Sequence, residues 1–417
     1  FNKYHKNYNS IARVMRNINM NGETLSTTIL PNALGDELRT KYGNNFKRVV
    51  LAWDVGSYVL SGGEKKLSTR GGFIEPTGPD MFSLRMLGGS LSGLKDQRSI
   101  LLSESSGKAL FGDEDPMNKL LRTGNGLDVK VTGVYENLPY NSHFHGVDFF
   151  APWDLLVSAN EWVKNQSFTN DFLDIYVEVA DHTNAAAVSD RIKNAILNNV
   201  RDNEGYVRVN PQIFLHPMSK WHLWSEFKNG VNTGGLIQTM WLFGIVGVFV
   251  LLLACINFMN LSTARSEKRA KEVGLRKAIG SVRTQLMHQF FSESFLVVAL
   301  AFVFALILVA TSLNWFNDLA GKQMEMPWSN PYFWLGSFVF ILVTGLLAGS
   351  YPALYLSSFN PVTVLKGSLR AGRFAAVPRK VLVVVQFTVS VILIIGTIIV
   401  YQQIQFAQNR PVGYNSK

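Results

Sequence analysis

Four long apolar runs dominate the second half of the chain and predict a helical membrane region. Asp, Glu, Lys and Arg are absent from residues 229–264, 294–317, 326–365 and 381–409. Each run holds a core of about 20 mostly apolar residues, which is the length of helix that crosses a bilayer. The predicted spans lie near residues 238–260, 292–314, 333–356 and 381–403.

Residues 1–228 have a different pattern, in which strand-like and helix-like pieces alternate. Residues 47–61 and 127–139 are rich in β-branched residues and end in turn residues, which is typical of strands. Residues 184–200 predict an amphipathic helix. Its apolar face would carry Val188, Ile192 and Ile196. The predicted fold class is an α+β extracytoplasmic domain followed by an α-helical transmembrane bundle with four spans in this chain.

Charge fixes the expected orientation of these spans. The chain has a formal net charge of +10. Residues 261–290 and 357–380 each carry +5, so these two loops account for all of it. Basic residues confined to alternate short loops indicate that both loops are cytoplasmic. The basic residues interpreted as topology anchors are Arg265, Lys268, Arg269, Lys271, Arg283, Lys366, Arg370, Arg373, Arg379 and Lys380.

This orientation places residues 1–235 outside the cytoplasm. The balanced charge of that region gives no basic patch for nucleic acid, so no nucleic-acid partner is expected. Export of such a domain needs a signal sequence or a preceding span. We therefore expect a first transmembrane helix before Phe1 and a further outside domain after Lys417.

Candidate metal ligands are few. His143 and His145 in "NSHFHG" would face one side of a strand and bind a metal, or would lie in an ordinary turn. No third ligand has a recognisable spacing, and His216 and His222 add none. The turn is the favoured interpretation, and we expect no metal site.

Candidate catalytic groups are equally few. Ser103, Ser105 and Ser106 lie in "LSESSGKALFG" without the G-x-S-x-G elbow of a hydrolase. Gly107 and Lys108 lack the rest of a phosphate-binding loop. We expect no catalytic residue and no nucleotide site in this chain. The single cysteine, Cys255, excludes an internal disulfide framework.

The charged block after the first span has two interpretations. As one helix, residues 264–286 would carry an apolar stripe and a charged face, but Gly274 and Gly280 are weak points at which we expect one or two breaks. The stripe is Leu275, Ala278, Ile279, Val282 and Leu286. The charged face is Arg265, Arg269, Glu272, Arg276 and Arg283. Such a helix is either an anchor for lipid phosphates or a docking element for a cytoplasmic motor, and periodicity does not choose between them.

Five segments resemble the FtsX/MacB-type family of ABC transporter permeases, in the long two-unit form common in Bacteroidetes. "LLACINFMNLSTARSEKRAKEVGLRKAIGSVRTQLMHQFFSESF" (252–295) and "GSYPALYLSSFNPVTVLKG" (349–367) are similar to its membrane domain. "SESSGKALFGDEDPMNK" (103–119) and "VTGVYENLPYNSHFHGVDFF" (131–150) are similar to its MacB-like periplasmic core domain. "FNKYHKNYNSIARV" (1–14) resembles the segment after its first span.

The resemblance implies a domain plan. Residues 1–235 would be the MacB-like periplasmic core domain. Residues 236–357 would be the FtsX-like permease domain, with the cytoplasmic coupling segment at 261–290. Residues 358–380 would be a basic cytoplasmic linker. Residues 381–417 would open a second core-plus-membrane unit that this sequence does not contain.

The resemblance also implies a function. It implies a permease subunit in the bacterial inner membrane that converts ATP hydrolysis by a separate cytoplasmic ABC ATPase, a dimer, into periplasmic movement for export or extraction of a periplasmic or lipid-linked substrate. ATP and Mg²⁺ would bind that partner and no cofactor would bind this chain. Membrane lipid, a second permease copy or half and a periplasmic partner would complete the assembly. The residues implied to contact the ATPase are Glu272, Val273, Gly274, Leu275, Arg276 and Lys277.

Two alternatives remain open on the residues alone. One is a membrane-anchored periplasmic sensor or scaffold, such as a wall-hydrolase regulator, without transport. The other is a membrane-bound hydrolase, for which no nucleophile and base are found. In the third span, Gly345 and Gly349 form a G-x-x-x-G pattern that predicts a close helix contact, and Pro352 predicts a kink.

Overall fold

The computed structural model describes residues 1–124, 126–181, 183–264, 266–357 and 373–409. The chain divides into two compact units, Phe1–Met240 and Trp241–Lys417. The first unit contains strands and short helices, and the second contains long helices. This arrangement confirms the predicted fold class.

The first unit contains a mixed β-sheet. Its strands, in chain order, are β1 Ile11–Met20, β2 Glu23–Thr27, β3 Leu30–Pro31, β4 Phe46–Gly62, β5 Lys65–Ile74, β6 Met86–Gly89, β7 Ser99–Ser103, β8 Leu120–Thr123, β9 Asp128–Tyr135, β10 Phe149–Pro152, β11 Asp171–Val179, β12 Gln212–Pro217, β13 Glu226–Lys228 and β14 Val231–Gly234. Within the described residues the main path runs β12-β1-β11-β4-β5-β10-β7-β9-β6, and β13 and β14 form a separate hairpin. The pairs β5–β10 and β7–β9 are parallel, and the other pairs along that path are antiparallel.

Short helices cover the sheet. They are α1 Ala33–Thr40, α2 Gly78–Met81, α3 Glu104–Phe111, α4 Trp153–Ala159, α5 Glu161–Lys164, α6 Ala185–Ile192 and α7 Glu204–Val209. Helices α1, α4, α5 and α6 contribute apolar side chains to one core beside strands β1, β4, β11 and β12. Burial of these apolar faces against the sheet is the main stabilising contribution to the unit.

The two strands predicted from β-branched residues are present. Residues 47–61 lie within β4, and most of 127–139 lies in β9. Strand β4 is longer than predicted and carries an irregularity, because its register against β5 shifts between Trp53 and Gly56. Such a shift bends a strand and redirects its side chains.

The helix predicted over residues 184–200 is shorter than expected. Helix α6 ends at Ile192, although Val188, Ile192 and Ile196 are all fully buried as the pattern required. The carbonyl of Lys193 accepts a hydrogen bond from Ile213 N of β12 at 2.9 Å. This carbonyl would accept the next hydrogen bond of a longer helix, so its contact with the sheet ends α6. The chain continues in tighter turns, such as the one from Ala195 N to Ile192 O.

His216 makes the stability of the first unit depend on pH. Its side chain is almost fully buried beside Phe227. Burial, and then the charges of Lys220 and Arg13, lower the pKa of His216 to about 4. The unfolded chain therefore binds a proton more readily than the folded one, so this group reduces stability as the pH falls below 6.5.

We expect His216→Asn to flatten the pH dependence of unfolding of the first unit. The wild type should lose up to about 2 kcal/mol through this group between pH 6.5 and pH 5, because each pKa unit corresponds to ~1.4 kcal/mol. Denaturant unfolding of the full chain, followed by fluorescence at the two pH values, measures the difference. Equal pH slopes for variant and wild type would contradict the assignment.

The described residues of the second unit belong mainly to five helices, the first of which begins within the last residues of the first unit. They are α8 Leu236–Ala264, α9 Ser266–Ala278, α10 Arg283–Ala320, α11 Pro331–Ser357 and α12 Arg373–Asn409. Four stretches are long and apolar enough to cross a membrane: Leu236–Ser262, Arg283–Ala320, Pro331–Leu354 and Lys380–Asn409. These are the four predicted spans, with α10 much longer than its predicted core.

The charged block does not form one helix. Helix α9 continues through Gly274, whereas residues 279–282 form the corner between α9 and α10. Gly280 has a φ of +107°, a conformation that L side chains rarely adopt. The predicted stripe is therefore divided, because Leu275 and Ala278 belong to α9 and Leu286 belongs to α10.

Candidate functional site

The corner between α9 and α10 brings together the residues that sequence reasoning had selected. Residues Glu272–Lys277 form the last turns of α9, and Arg283 begins α10. After the helix ends, Ser281 N donates to Arg276 O at 3.0 Å and Gly280 N donates to Lys277 O at 3.1 Å. These bonds satisfy carbonyls at the end of α9 and close the corner.

A small apolar core holds the corner on the helices behind it. Val273 is 3% exposed and packs with Leu286 and Phe290 of α10 and with Ala353 of α11. Gly274 is buried as well. Of the six predicted contact residues, these two therefore face the protein rather than a partner. Their role in the structure is to seat α9.

A chain of polar contacts extends along the outside of the corner. Arg276 Nη2 donates to Glu272 Oε1 at 2.7 Å, and Arg276 Nη1 donates to Gln289 Oε1 at 2.6 Å. Gln289 Nε2 then donates to Glu293 Oε1 at 3.3 Å. The side chains of Glu272 and Arg276 are 54% and 43% exposed, so this ion pair contributes little to stability. The ion pair does fix the positions of the two charges on the surface of α9.

Two cations tie the corner to the end of α11. Lys277 Nζ donates to Ser357 O at 2.6 Å, and Arg283 Nε donates to Ser357 Oγ at 3.2 Å. Ser357 is fully buried. Desolvation and the nearby charge of Arg283 lower the pKa of Lys277. Cations at a helix C-terminus also interact favourably with its dipole.

Apolar side chains on the outer side of the corner lack protein cover. Leu275 is 54% exposed, Ile279 78% and Val282 54%. We call these three residues the apolar tip. Leu275 lies one helical turn from Glu272 and Ile279 one turn from Arg276, so this side of the corner carries an apolar centre beside two exposed charges, which we call its rim. A centre of this kind is typical of a protein contact surface.

The G-x-x-x-G pattern of α11 lies against α10. A Cβ atom at Gly345 would lie 2.3 Å from Phe295 Cδ1, and one at Gly349 would lie 2.9 Å from Phe291 Cδ1. The missing side chains therefore let the two helices approach closely, as expected for small residues in membrane helices. Pro352 lies inside α11, which continues to Ser357.

The predicted topology anchors are only partly described. Arg283 lies at the corner, and Lys380 is exposed in α12. Lys268, Arg269 and Lys271 lie in α9 and Arg373 and Arg379 in α12, without a description of their side chains. Arg265, Lys366 and Arg370 lie outside the described residues.

The serine cluster of the first unit has a structural role. Ser103 caps α3, because its Oγ accepts from Ser106 N at 3.2 Å. Ser105 donates from N and from Oγ to Asn137 Oδ1, at 3.1 and 2.9 Å. No histidine lies beside these serines in the bonds described, so the cluster shows helix capping and no nucleophile–base pair.

His143 and His145 lie in the loop between β9 and β10 rather than on a strand. His145 Nδ1 lies 2.9 Å from Leu138 O, and His143 N donates to Asn2 Oδ1 at 2.7 Å. Among the described residues, no group of three or more His, Cys, Asp or Glu side chains could hold a metal ion.

Sequence reasoning missed two residues that shape the corner. Ser357 accepts hydrogen bonds from Lys277 and Arg283. Gln289 accepts a hydrogen bond from Arg276. Both residues lie within the segments that resemble the family, but nothing in the sequence pairs them with the corner, and Ser357 is 80 residues from Lys277. Only the packing of α11 against α10 brings them together.

Comparison with known proteins gives two family matches in chain order. Residues 3–195 match the model of the MacB-like periplasmic core domain, and residues 244–361 match that of the FtsX-like permease C-terminal region. The second range includes the whole α9–α10 corner.

Individual relatives are distant and longer. An uncharacterized ABC transporter permease of Bacillus subtilis, YknZ, is 21% identical over 66% of this chain and 62% of its own length. The macrolide export ATP-binding/permease protein MacB of Vibrio parahaemolyticus is 23% identical over 70% of this chain and 42% of its own length. The chain thus spans about two fifths to three fifths of these two relatives.

Among solved structures, the periplasmic region of MacB from Actinobacillus actinomycetemcomitans is similar to this chain. It is 15% identical, with a TM-score of 0.38 over 52% of this chain and 92% of that one.

Proposed function

Because the chain belongs to the FtsX/MacB-type family of ABC transporter permeases, we propose that it is the non-catalytic membrane subunit of an ATP-driven complex. In this proposal a separate cytoplasmic ABC ATPase, acting as a dimer, binds ATP and Mg²⁺. The permease subunit lies in the bacterial inner membrane with its first unit in the periplasm. Movement passes from the ATPase to that unit, which exports or extracts a periplasmic or lipid-linked substrate.

The observation that carries the proposal is the exposure of the apolar tip at the α9–α10 corner. Three apolar side chains lie there without protein cover, next to the charges of Glu272 and Arg276. The positive-inside pattern puts this corner in the cytoplasm. An exposed apolar centre beside charged side chains is typical of a protein contact surface, whereas a contact with lipid phosphates needs only the cations. This favours the docking interpretation over the lipid-phosphate anchor.

The contacts behind the tip support a mechanical role for the docked corner. Val273 packs on α10 and α11, and Lys277 and Arg283 bind the end of α11. A force applied to the apolar tip would therefore be transmitted to α10 and α11. Packed cores transmit displacement because they have few voids to absorb it.

We expect an exchange of the two rim charges, Glu272→Arg with Arg276→Glu, to abolish co-purification with the ATPase. The exchange retains an ion pair across one helical turn, in the orientation that stabilises a helix less and without the Arg276–Gln289 hydrogen bond, while both rim charges change sign. The measurement is a pull-down of the full chain from cells that also express a phosphate-loop ATPase encoded beside it, with the captured ATPase detected.

The matched control exchanges a charged pair elsewhere, Glu161→Lys with Lys164→Glu. That pair is also exposed and one turn apart, and it lies in the first unit. Undiminished ATPase capture by the Glu272/Arg276 exchange would refute docking at this rim. A wild-type chain that captures no ATPase, in a strain with no ATP-dependent phenotype, would instead favour the membrane-anchored sensor or scaffold.

A further inference from the structure

A cavity of about 90 Å³ lies on one face of the sheet in the first unit. Its floor includes residues of β1, β4, β5, β10 and β11, and its roof is the β9–β10 loop with His143, Phe144 and Val147. Aromatic side chains, among them Trp53 and Tyr176, form much of the wall. The cavity is large enough for a group of a few heavy atoms.

Charged side chains from different parts of the fold meet in this cavity. Arg13 Nη2 donates to Asp174 Oδ1 at 2.6 Å, and the two side chains are 20% and 15% exposed. The Arg13 guanidinium also lies 5.8 Å from the centre of the Tyr176 ring. Because a carboxylate and a ring hold it, this guanidinium has a fixed orientation beside the cavity.

A second guanidinium lies on the other side, at the rim. Arg70 is exposed, and its Nη1 donates to His145 O at 3.3 Å. Its backbone N donates to Asp148 Oδ2 at 2.8 Å, and Asp148 does not line the cavity. The lining thus contains two arginines and one carboxylate, so the net charge of the wall is positive.

The pKa of His143, in the roof, reflects these positive charges. His143 is exposed at the surface, yet desolvation by neighbouring atoms, followed by the charges of Arg13 and Arg70, lowers its pKa to about 4. At neutral pH the ring is therefore uncharged and can donate one hydrogen bond and accept another. A negative group in the cavity would interact with both arginines.

Hydrogen bonds within the protein hold the roof in place. His143 N donates to Asn2 Oδ1, and Ser142 Oγ lies 3.0 Å from Nε2 of the fully buried His5. Asn2 Nδ2 in turn donates to Met218 O at 3.1 Å. A site that is already organised loses less conformational entropy when it binds a ligand.

We propose that this cavity binds a small anionic group, a carboxylate or a phosphate, between Arg13, Arg70 and His143. The aromatic wall excludes water from one side of the bound group, which strengthens its charged hydrogen bonds. Asp174 holds Arg13 in position. The site is separate from the α9–α10 corner and does not depend on the proposed function.

The test uses the full chain in detergent micelles with ¹³C-labelled histidine. The His143 signal is identified by its loss in His143→Ala. Acetate, inorganic phosphate and ethylammonium chloride are titrated separately at constant ionic strength. We expect a saturable shift of the His143 signal with at least one anion, together with a rise in the pKa of His143, because a nearby negative charge favours the protonated ring.

Arg70→Gln should weaken the anion affinity about tenfold, since a hydrogen bond to a charged group is lost. Arg98→Gln, an exposed arginine of the same unit outside the cavity, should leave it unchanged. Saturation by acetate alone would assign a carboxylate, and saturation by phosphate alone would assign a phosphate. Non-saturating shifts, equal affinity in Arg70→Gln, or saturation by ethylammonium instead would overturn the proposal.

Discussion

Gly345→Val is expected to disrupt the packing of α10 against α11 and to lower the melting temperature of the helical signal. The reason is steric. Even the first carbon of a side chain at this position would lie 2.3 Å from Phe295 Cδ1 and 3.2 Å from Phe295 Cγ. Rotation of the ring about the Cβ–Cγ bond moves Cδ1 but not Cγ, so part of the overlap remains. Overpacking of this kind typically costs about 1–3 kcal/mol.

The same helix offers a matched control. Gly336 also lies in α11, but a Cβ there would meet no atom within 4 Å. Gly336→Val should therefore leave the melting temperature close to that of the wild type, and circular dichroism of the full chain in detergent measures both variants. Adding Phe295→Ala to Gly345→Val should recover part of the loss. Equal melting temperatures for the two valine variants would show that the close contact at Gly345 does not stabilise the protein.

Ile279→Asp is expected to have the largest effect on function. Ile279 is 78% exposed, so a carboxylate there meets water and the fold should be retained. In the proposed complex the same carboxylate would be buried without a partner at the centre of the interface, which costs several kcal/mol. We expect at least a hundredfold loss of ATPase affinity, with an unchanged melting temperature.

A matched substitution separates docking from general damage. Leu319 is similarly exposed, at 70%, and lies at the far end of α10. Leu319→Asp should therefore leave ATPase binding unchanged. If Ile279→Asp retained wild-type affinity, the apolar tip would not be part of the interface.

The membrane part of the fold could be predicted from sequence because its physical requirement is local. An uncharged apolar run long enough to span a bilayer satisfies its backbone only as a helix, so composition identifies each span. The ends could not be predicted as well. Helix α10 begins at Arg283 because residues 279–282 form the corner, and it extends to Ala320 beyond the apolar core.

The corner shows the limit of the prediction from periodicity. The sequence predicts a break at Gly274 or Gly280, and the structure has it at Gly280, but the stripe of Leu275, Val282 and Leu286 required a continuous helix. With the break at Gly280, Leu286 packs under Val273 while Leu275 and Val282 stay exposed. The pattern selected the right segment but could not distinguish its buried residues from its exposed ones. That distinction depends on α11, whose residues Ala353 and Ser357 are distant in sequence.

The first unit was predicted in class but not in topology. The pattern of β-branched and polar residues predicted β4 and β9. The parallel pairs β5–β10 and β7–β9 could not be predicted in this way, because they join strands that are far apart in the chain. Likewise, His143 had no recognisable partner in sequence. The structure places it in the same cavity lining as Arg13, 130 residues earlier, where Asn2, just before β1, accepts a hydrogen bond from His143 N.

The central claim is that the apolar tip contacts an ATPase, and a photocrosslinker at position 279 of the full chain tests it most directly. Irradiation of intact cells should give an adduct with a phosphate-loop ATPase, identified by mass spectrometry. The same crosslinker at exposed Tyr332, at the start of α11, should not. Adducts at 279 with lipid alone, or the same ATPase adduct from both positions, would contradict the account.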